Sequence, residues 1–215
     1  MGQTFMRRWT RLVAVGVAIA GSVSCGDVVR SGRAPVLLVI NSLSALRGGP
    51  TIGQPSGFLT SDVITNVTSP APCSQTSPCP TIFDDSGDAV VGIVMKDPGS
   101  GGTPVTPSPT NYVTITRVHV KFVRADGRNT QGVDVPYEFD TAATATITDQ
   151  GGTDFKFELV RHTAKGEPPL LGLVSSGVII NAIAQVTFYG VDQAGNAISV
   201  TGQIGVNFGN FGDTQ

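Results

Sequence analysis

Three sets of side chains in this 215-residue chain have the types and spacing for chemistry. The first is Arg117, His119 and Lys121, three basic groups two residues apart. In an extended strand this spacing puts them on one face. There they would form a small stripe for an anionic ligand, or pair with acids such as Glu138 or Glu158 across the sheet. The paired, solvated face is the expectation. The second set is the acidic run Asp84, Asp85 and Asp88. Clustered oxygen ligands suit Ca²⁺, but the run has neither the spacing nor the glutamate of an EF-hand loop. An acidic turn between strands is expected instead. The third set is the cysteines, Cys25, Cys73 and Cys79.

Cys73 and Cys79 lie in a Pro- and Ser-rich segment, SPAPCSQTSPCP at 69–80. Two thiols with no nearby histidine are too few for a metal site. In an exported protein the expectation is a disulfide. Loop-closure entropy gives a seven-residue loop about 2.4 kcal/mol, less any strain. Catalytic signals are sparse. The chain has two histidines; His162 follows a strand-like segment and is expected to be exposed. There is no Gly-x-Ser-x-Gly nucleophile elbow, so a serine hydrolase has little support. No catalytic constellation, metal site or cofactor is expected. Asp126 and Asp192 read as turn formers, and Asn66-Val-Thr68 is a formal glycosylation sequon to which no role is given.

The first 24 residues explain where such a chain would work. Residues 1–11 (MGQTFMRRWTR) carry three arginines and no acid, and residues 12–24 (LVAVGVAIAGSVS) carry no charge. This is the basic start and short apolar stretch of a secretory signal peptide. Thirteen helical residues span about 20 Å, short of a ~30 Å hydrocarbon core, so a permanent transmembrane helix is not expected. Without the leader's three arginines, eleven basic residues face sixteen acidic ones, a net charge of −5. That balance argues against nucleic acid as a partner.

The apolar stretch ends at Ser22-Val23-Ser24-Cys25. This resembles the lipobox of bacterial lipoproteins, in which small residues precede a cysteine that is diacylated and becomes the mature N-terminus. Ser22 stands where leucine is usual, and ordinary export as a soluble protein is the alternative. Arg7-Arg8 also resembles part of a twin-arginine signal. The lipobox resemblance implies lipidation of Cys25, with a membrane as partner through that lipid; two or more acyl chains make a stable anchor. Gly26 in place of aspartate is similar to the sorting pattern for outer-membrane transfer in Gram-negative lipoproteins.

The elements that must position these residues read as strands. Composition is rich in Gly (27) and Pro (14) with 14% charged residues, which favours strands and turns over helices. Residues 36–40 form a continuous apolar run fit for a buried strand; 41–54 read as a loop, 58–67 as a strand and 89–96 as another. Val113 and Ile115 share one phase, and Val118, Val120 and Phe122 the other, so a bulge is expected near Thr116-Arg117. Val135, Tyr137 and Phe139 alternate with polar residues or proline. So do Ala143, Ala145 and Ile147, then Phe155, Phe157 and Leu159. The longest alternating run is Ile198 to Phe208. A helical turn crossing between sheets is expected within 167–173. Period-two alternation with frequent turn signals suggests an antiparallel sandwich.

Residues 186–196 (VTFYGVDQAGN) end a strand in Asp-x-Ala-Gly-Asn before that last alternating run. The motif resembles the closing hairpin of bacterial immunoglobulin-like domains. The segments 34–40, 124–130, 132–136 and 206–213 are similar to a group of uncharacterised bacterial lipoproteins, which brings no known activity. The expected organisation is a signal peptide (1–24), a lipidated tether (25–34) and one all-β, immunoglobulin-like antiparallel β-sandwich (35–211) with long loops at 68–82 and 97–111. Two functions follow as expectations. One is a non-catalytic binding or structural module of the cell envelope, lipid-anchored at the outer membrane, contacting an envelope protein or polysaccharide. The other is a secreted or envelope hydrolase with a loop-built site.

Overall fold

The computed structural model describes residues 32–50, 53–99 and 105–212. The signal segment, Cys25 and most of the tether lie outside the described residues. The strands are β1 (Val36–Leu46), β2 (Phe58–Asp62), β3 (Thr65–Val67), β4 (Cys79–Thr81), β5 (Asp85–Met95), β6 (Val113–Val123), β7 (Phe139–Ile147), β8 (Thr153–Val160), β9 (Ile180–Asp192) and β10 (Ala197–Gly209). One helical turn, α1 (His162–Lys165), and a 3-10 turn at Leu170–Leu173 occupy the β8–β9 crossover. The all-β expectation holds; the 3-10 turn falls within the expected 167–173, whereas α1 precedes that range.

The strands form a three-stranded sheet, β1-β5-β8, a five-stranded sheet, β2-β10-β9-β6-β7, and the small β3-β4 pair. All neighbours are antiparallel except β2, which runs parallel to β10. The buried faces of the two larger sheets share one core. Phe155 and Phe157 of β8 meet Phe188 of β9 edge-on, with ring centroids 5.5 and 5.4 Å apart. Burying three rings at one point draws both sheets together by area and by ring geometry.

The C-terminal hairpin follows its period-two pattern. β9 and β10 pair from Ile180↔Phe208 to Val191↔Ala197. Ile198, Ile204, Val206 and Phe208 are buried, Val200 is half-buried, and Ser199, Thr201 and Gln203 face water. Asp192 ties the turn: Oδ1 accepts the Ala194 and Asn196 amides at 2.9 and 2.8 Å, and Oδ2 accepts Asn196 Nδ2 at 2.8 Å. Gly195 takes a φ of +80°, a region L side chains avoid. Gly202 makes room for β1 of the facing sheet. A Cβ there would lie 2.8 Å from Ile40 Cδ1 and 3.0 Å from Leu43 Cδ2. The β6 bulge is present between Ile115 and Arg117 in both of its pairings.

Elsewhere the structure corrects the sequence. The 36–40 run is not buried on both sides: Val36 and Leu38 point into the core while Leu37 and Val39 are exposed. β1 is an edge strand whose outer face meets solvent. It also continues through the expected loop to Leu46, with a register shift between Ile40 and Ser42. The Asn41 amide reaches over Gly92 of β5 to the carbonyls of Gln150 and Gly151, at 2.8 and 3.0 Å. The expected strand at 58–67 splits into β2 and β3. Tyr137 is exposed instead of inward, because Pro136 lacks a ladder donor and β7 starts only at Phe139.

Candidate functional site

Strand direction divides the body into two ends. β1 begins at one end, beside the loops joining β5 to β6, β7 to β8 and β9 to β10. The opposite end gathers the end of β1, the β2–β5 connection, the β6–β7 loop, the β8–β9 crossover and the end of β10. Asp84, Asp85, Glu158, His162 and Lys165 meet at this second end.

Asp84 and Asp85 stand at the start of β5, and the pleat sends them opposite ways. Asp85 is fully buried. Its Oδ2 takes Lys165 Nζ at 2.8 Å and the Ser61 hydroxyl at 2.6 Å, and its Oδ1 takes the Gly48 amide at 2.8 Å. Lys165 is 1% exposed. Burial pushes the Asp85 carboxyl up from its ordinary range, while Lys165 and the Ser61 and Gly48 hydrogen bonds oppose the rise. Asp62, also buried, accepts Arg47 Nη2 at 2.6 Å, Thr65 Oγ1 at 3.0 Å and the Phe211 amide at 2.9 Å. These bonds fasten β1, β2, β5, α1 and the C-terminal segment to one another.

On the surface above, Asp84 Oδ1 accepts the His162 amide at 2.6 Å and lies 2.9 Å from His162 Nδ1. Glu158 stands beside them; ligand-capable atoms of Asp84, Glu158 and His162 lie within 4.8 Å of one another. Burial, then the Asp84 charge, pushes the Glu158 carboxyl up. Two carboxylates and an imidazole are donors a divalent cation accepts, here on an open surface with Nδ1 already facing Asp84.

The acidic-turn expectation for 84–88 is therefore corrected. Asp85 and Asp88 are strand residues whose carboxylates diverge. Asp85 goes to Lys165, and Asp88 lies against Asp154 of β8, whose hydrogen bond pushes it up.

The basic stripe is on the outer face of the five-stranded sheet and is paired. Arg117 Nη1 and His119 Nδ1 lie 2.8 and 3.0 Å from Asp140 Oδ1. His119 Nε2 and Lys121 Nζ lie 3.8 and 3.9 Å from Glu138 Oε2. Arg117 also stacks on Tyr189, 3.9 Å from the ring centroid. The hydrogen bond from His119, then the charge of Arg117, holds Asp140 below its ordinary range. Glu138 pairs with the stripe, as the sequence suggests; Glu158 belongs to the other sheet. Cys73 and Cys79 are bonded, with sulfurs 2.05 Å and Cα atoms 5.3 Å apart. Cys79 opens β4, so the bond closes the loop carried by the β3–β4 pair. Asp126 works in its turn by bracing Arg124 and Arg128.

The sequence missed the Lys165–Asp85–Ser61 group. A single lysine in Thr-Ala-Lys-Gly gives no periodic cue that it is buried. No family model matches the chain, and no curated protein is similar to it.

Proposed function

We propose that this chain is a lipid-anchored lipoprotein of the bacterial cell envelope, placed at the outer membrane, whose immunoglobulin-like domain is a non-catalytic binding module. The leader and Cys25 support the anchor. The strand order supports the immunoglobulin-like part: β1, β5 and β8 take the places of strands A, B and E, and β10, β9, β6 and β7 those of G, F, C and C′. β2 then carries the A segment across to the second sheet beside G.

One observation carries the binding part. The chain enters the body at the end where β1 begins, and among the described residues all but one of the large exposed apolar side chains of the connections, Val105, collect at the other. Ile82, Val133, Tyr137, Leu171, Val178 and Ile179 are all there; Val133 is 68% and Val178 55% exposed. The disulfide-closed loop projects from the same end. Large apolar side chains left in water on loops mark contact surfaces. A domain tethered at one end would present this surface away from the membrane, to an envelope protein or polysaccharide.

The test compares Val133→Ser/Val178→Ser at the far end with Val105→Ser at the near end, measuring binding of the purified domain to isolated envelopes. The proposal expects the far-end pair to lose at least about tenfold in affinity, a 1.4 kcal/mol effect, with unchanged melting temperature, and the near-end variant to bind normally. Equal binding by all three contradicts it.

The alternative, an envelope hydrolase, has one favouring observation: His162 does meet acids. Asp84 and Glu158 supply an orienting carboxylate and a second acid, but among the described residues the His162 imidazole hydrogen-bonds only to Asp84, so no nucleophile is in place. Hydrolysis of a panel of ester, amide and glycoside probes, lost in His162→Ala, would favour this alternative.

A further inference from the structure

A buried amine against a buried carboxyl is a pair of reactants as well as an ion pair. Lys165 Nζ lies 2.8 Å from Asp85 Oδ2, with side-chain exposures of 1% and 0%. The surroundings suit attack on that carboxyl. The Gly48 amide donates to Oδ1 at 2.8 Å, the oxygen on which charge develops when a nucleophile adds. The Ser61 hydroxyl donates to Oδ2 at 2.6 Å, the oxygen on the side of the amine, and Ser61 is itself fully buried. Gly48 follows β1, Ser61 lies in β2, Asp85 opens β5 and Lys165 ends α1, so both sheets and the crossover hold the four groups in place. Burial favours the neutral acid at Asp85 over the carboxylate, and the neutral acid is the form that condenses.

We propose that Lys165 and Asp85 join in an intramolecular amide that ties β5 to the β8–β9 crossover. One ammonium proton first passes from Nζ to Oδ2, which frees the nitrogen lone pair. Nζ then adds to Cγ, and the carbonyl electron pair moves onto Oδ1, facing the Gly48 amide. A second proton leaves Nζ through the Ser61 hydroxyl to Oδ2. The Oδ1 pair returns, the Cγ–Oδ2 bond breaks, and Oδ2 departs as water. Nitrogen keeps one hydrogen. One ammonium and one carboxylate have become one amide and one water, and no external reagent is consumed. Groups held in this way react at effective molarities of roughly 10⁵–10⁸ M, which offsets the poor reactivity of a carboxylic acid.

Peptide mapping of the full, purified protein tests the amide, with the disulfide reduced. The expected result is a branched peptide joining the segments that contain Asp85 and Lys165, one water lighter than their sum, with no tryptic cleavage after Lys165. Ser61→Ala should form it about a hundredfold more slowly, the size of a lost proton relay. Trypsin cutting after Lys165, with two linear peptides of full mass from the wild-type protein, overturns the proposal without recourse to any variant. Equal rates in wild type and Ser61→Ala would overturn the relay assigned to Ser61.

Discussion

Phe188 and Tyr189 are neighbours on β9 that face opposite sides of the same sheet. Phe188 is fully buried between Phe155 and Phe157. Tyr189 lies on the outer face under the guanidinium of Arg117. Phe188→Ala removes a ring that joins the two sheets. A buried phenylalanine cut to alanine costs about 3–5 kcal/mol. The value should fall in the upper half of that range, because each edge-on ring pair adds about 0.5–1.5 kcal/mol. Tyr189→Ala gives up one cation–π contact at a half-buried outer-face position, about 0.5–1 kcal/mol. In urea denaturation the two variants should therefore differ by about 3–4.5 kcal/mol with equal slopes, and Phe188→Ala should melt roughly 8–20 °C below wild type. If Tyr189→Ala is as costly as Phe188→Ala, the faces of β9 are reversed and the shared core is wrong.

Val206→Asp puts an unpaired carboxylate at a fully buried position of β10 and should abolish cooperative folding, whereas Thr201→Asp loses only an exposed hydroxyl contact with Thr187; circular dichroism during urea titration separates them. Cys73→Ser with Cys79→Ser should cost up to about 2.4 kcal/mol in chemical denaturation, and leave the β1-β5-β8 sheet intact by hydrogen exchange. Asp140, whose carboxyl is held below its ordinary 3.8 by His119 and then Arg117, contributes stability above that value that is lost as the pH falls through its lower folded value. Asp140→Asn should therefore flatten the acid limb of the stability–pH curve below about pH 4. Cys25→Ala should move the protein from membrane to soluble fractions, and mass spectrometry of the mature wild-type N-terminus should find Cys25 acylated.

The sequence carries the strands whose alternation reports one buried face. β10, β7 and β8 read correctly because Ile204, Ala145 and Leu159 each recur at period two with polar partners between them. β1 misleads because both of its faces start apolar, and only position at a sheet edge decides that Leu37 and Val39 meet water. Its second half, Asn41 to Leu46, has a loop's composition, and pairing with β5 supplies what composition lacks. The polar cluster at the far end was half legible. Asp84, Asp85 and His162 stand out as residue types, but their separation into a surface group and a buried one depends on strand phase at Asp85. Lys165 is buried by tertiary packing alone. The basic stripe and its partner Glu138 were legible from i, i+2 spacing; Asp140 joins them through the β6–β7 register.

The central claim is that the domain is held at one end and makes its contacts at the other. Site-specific photo-cross-linking in intact cells tests it most directly, with the reactive side chain placed in turn at Val133, Tyr137 and Val178, and at Val105 and Val191 near the tethered end. The account predicts discrete cross-linked adducts from the first three positions and none from the last two, lost when Cys25→Ala releases the protein from the membrane. Adducts from Val105 and Val191 with none from Val133, Tyr137 or Val178 would contradict it.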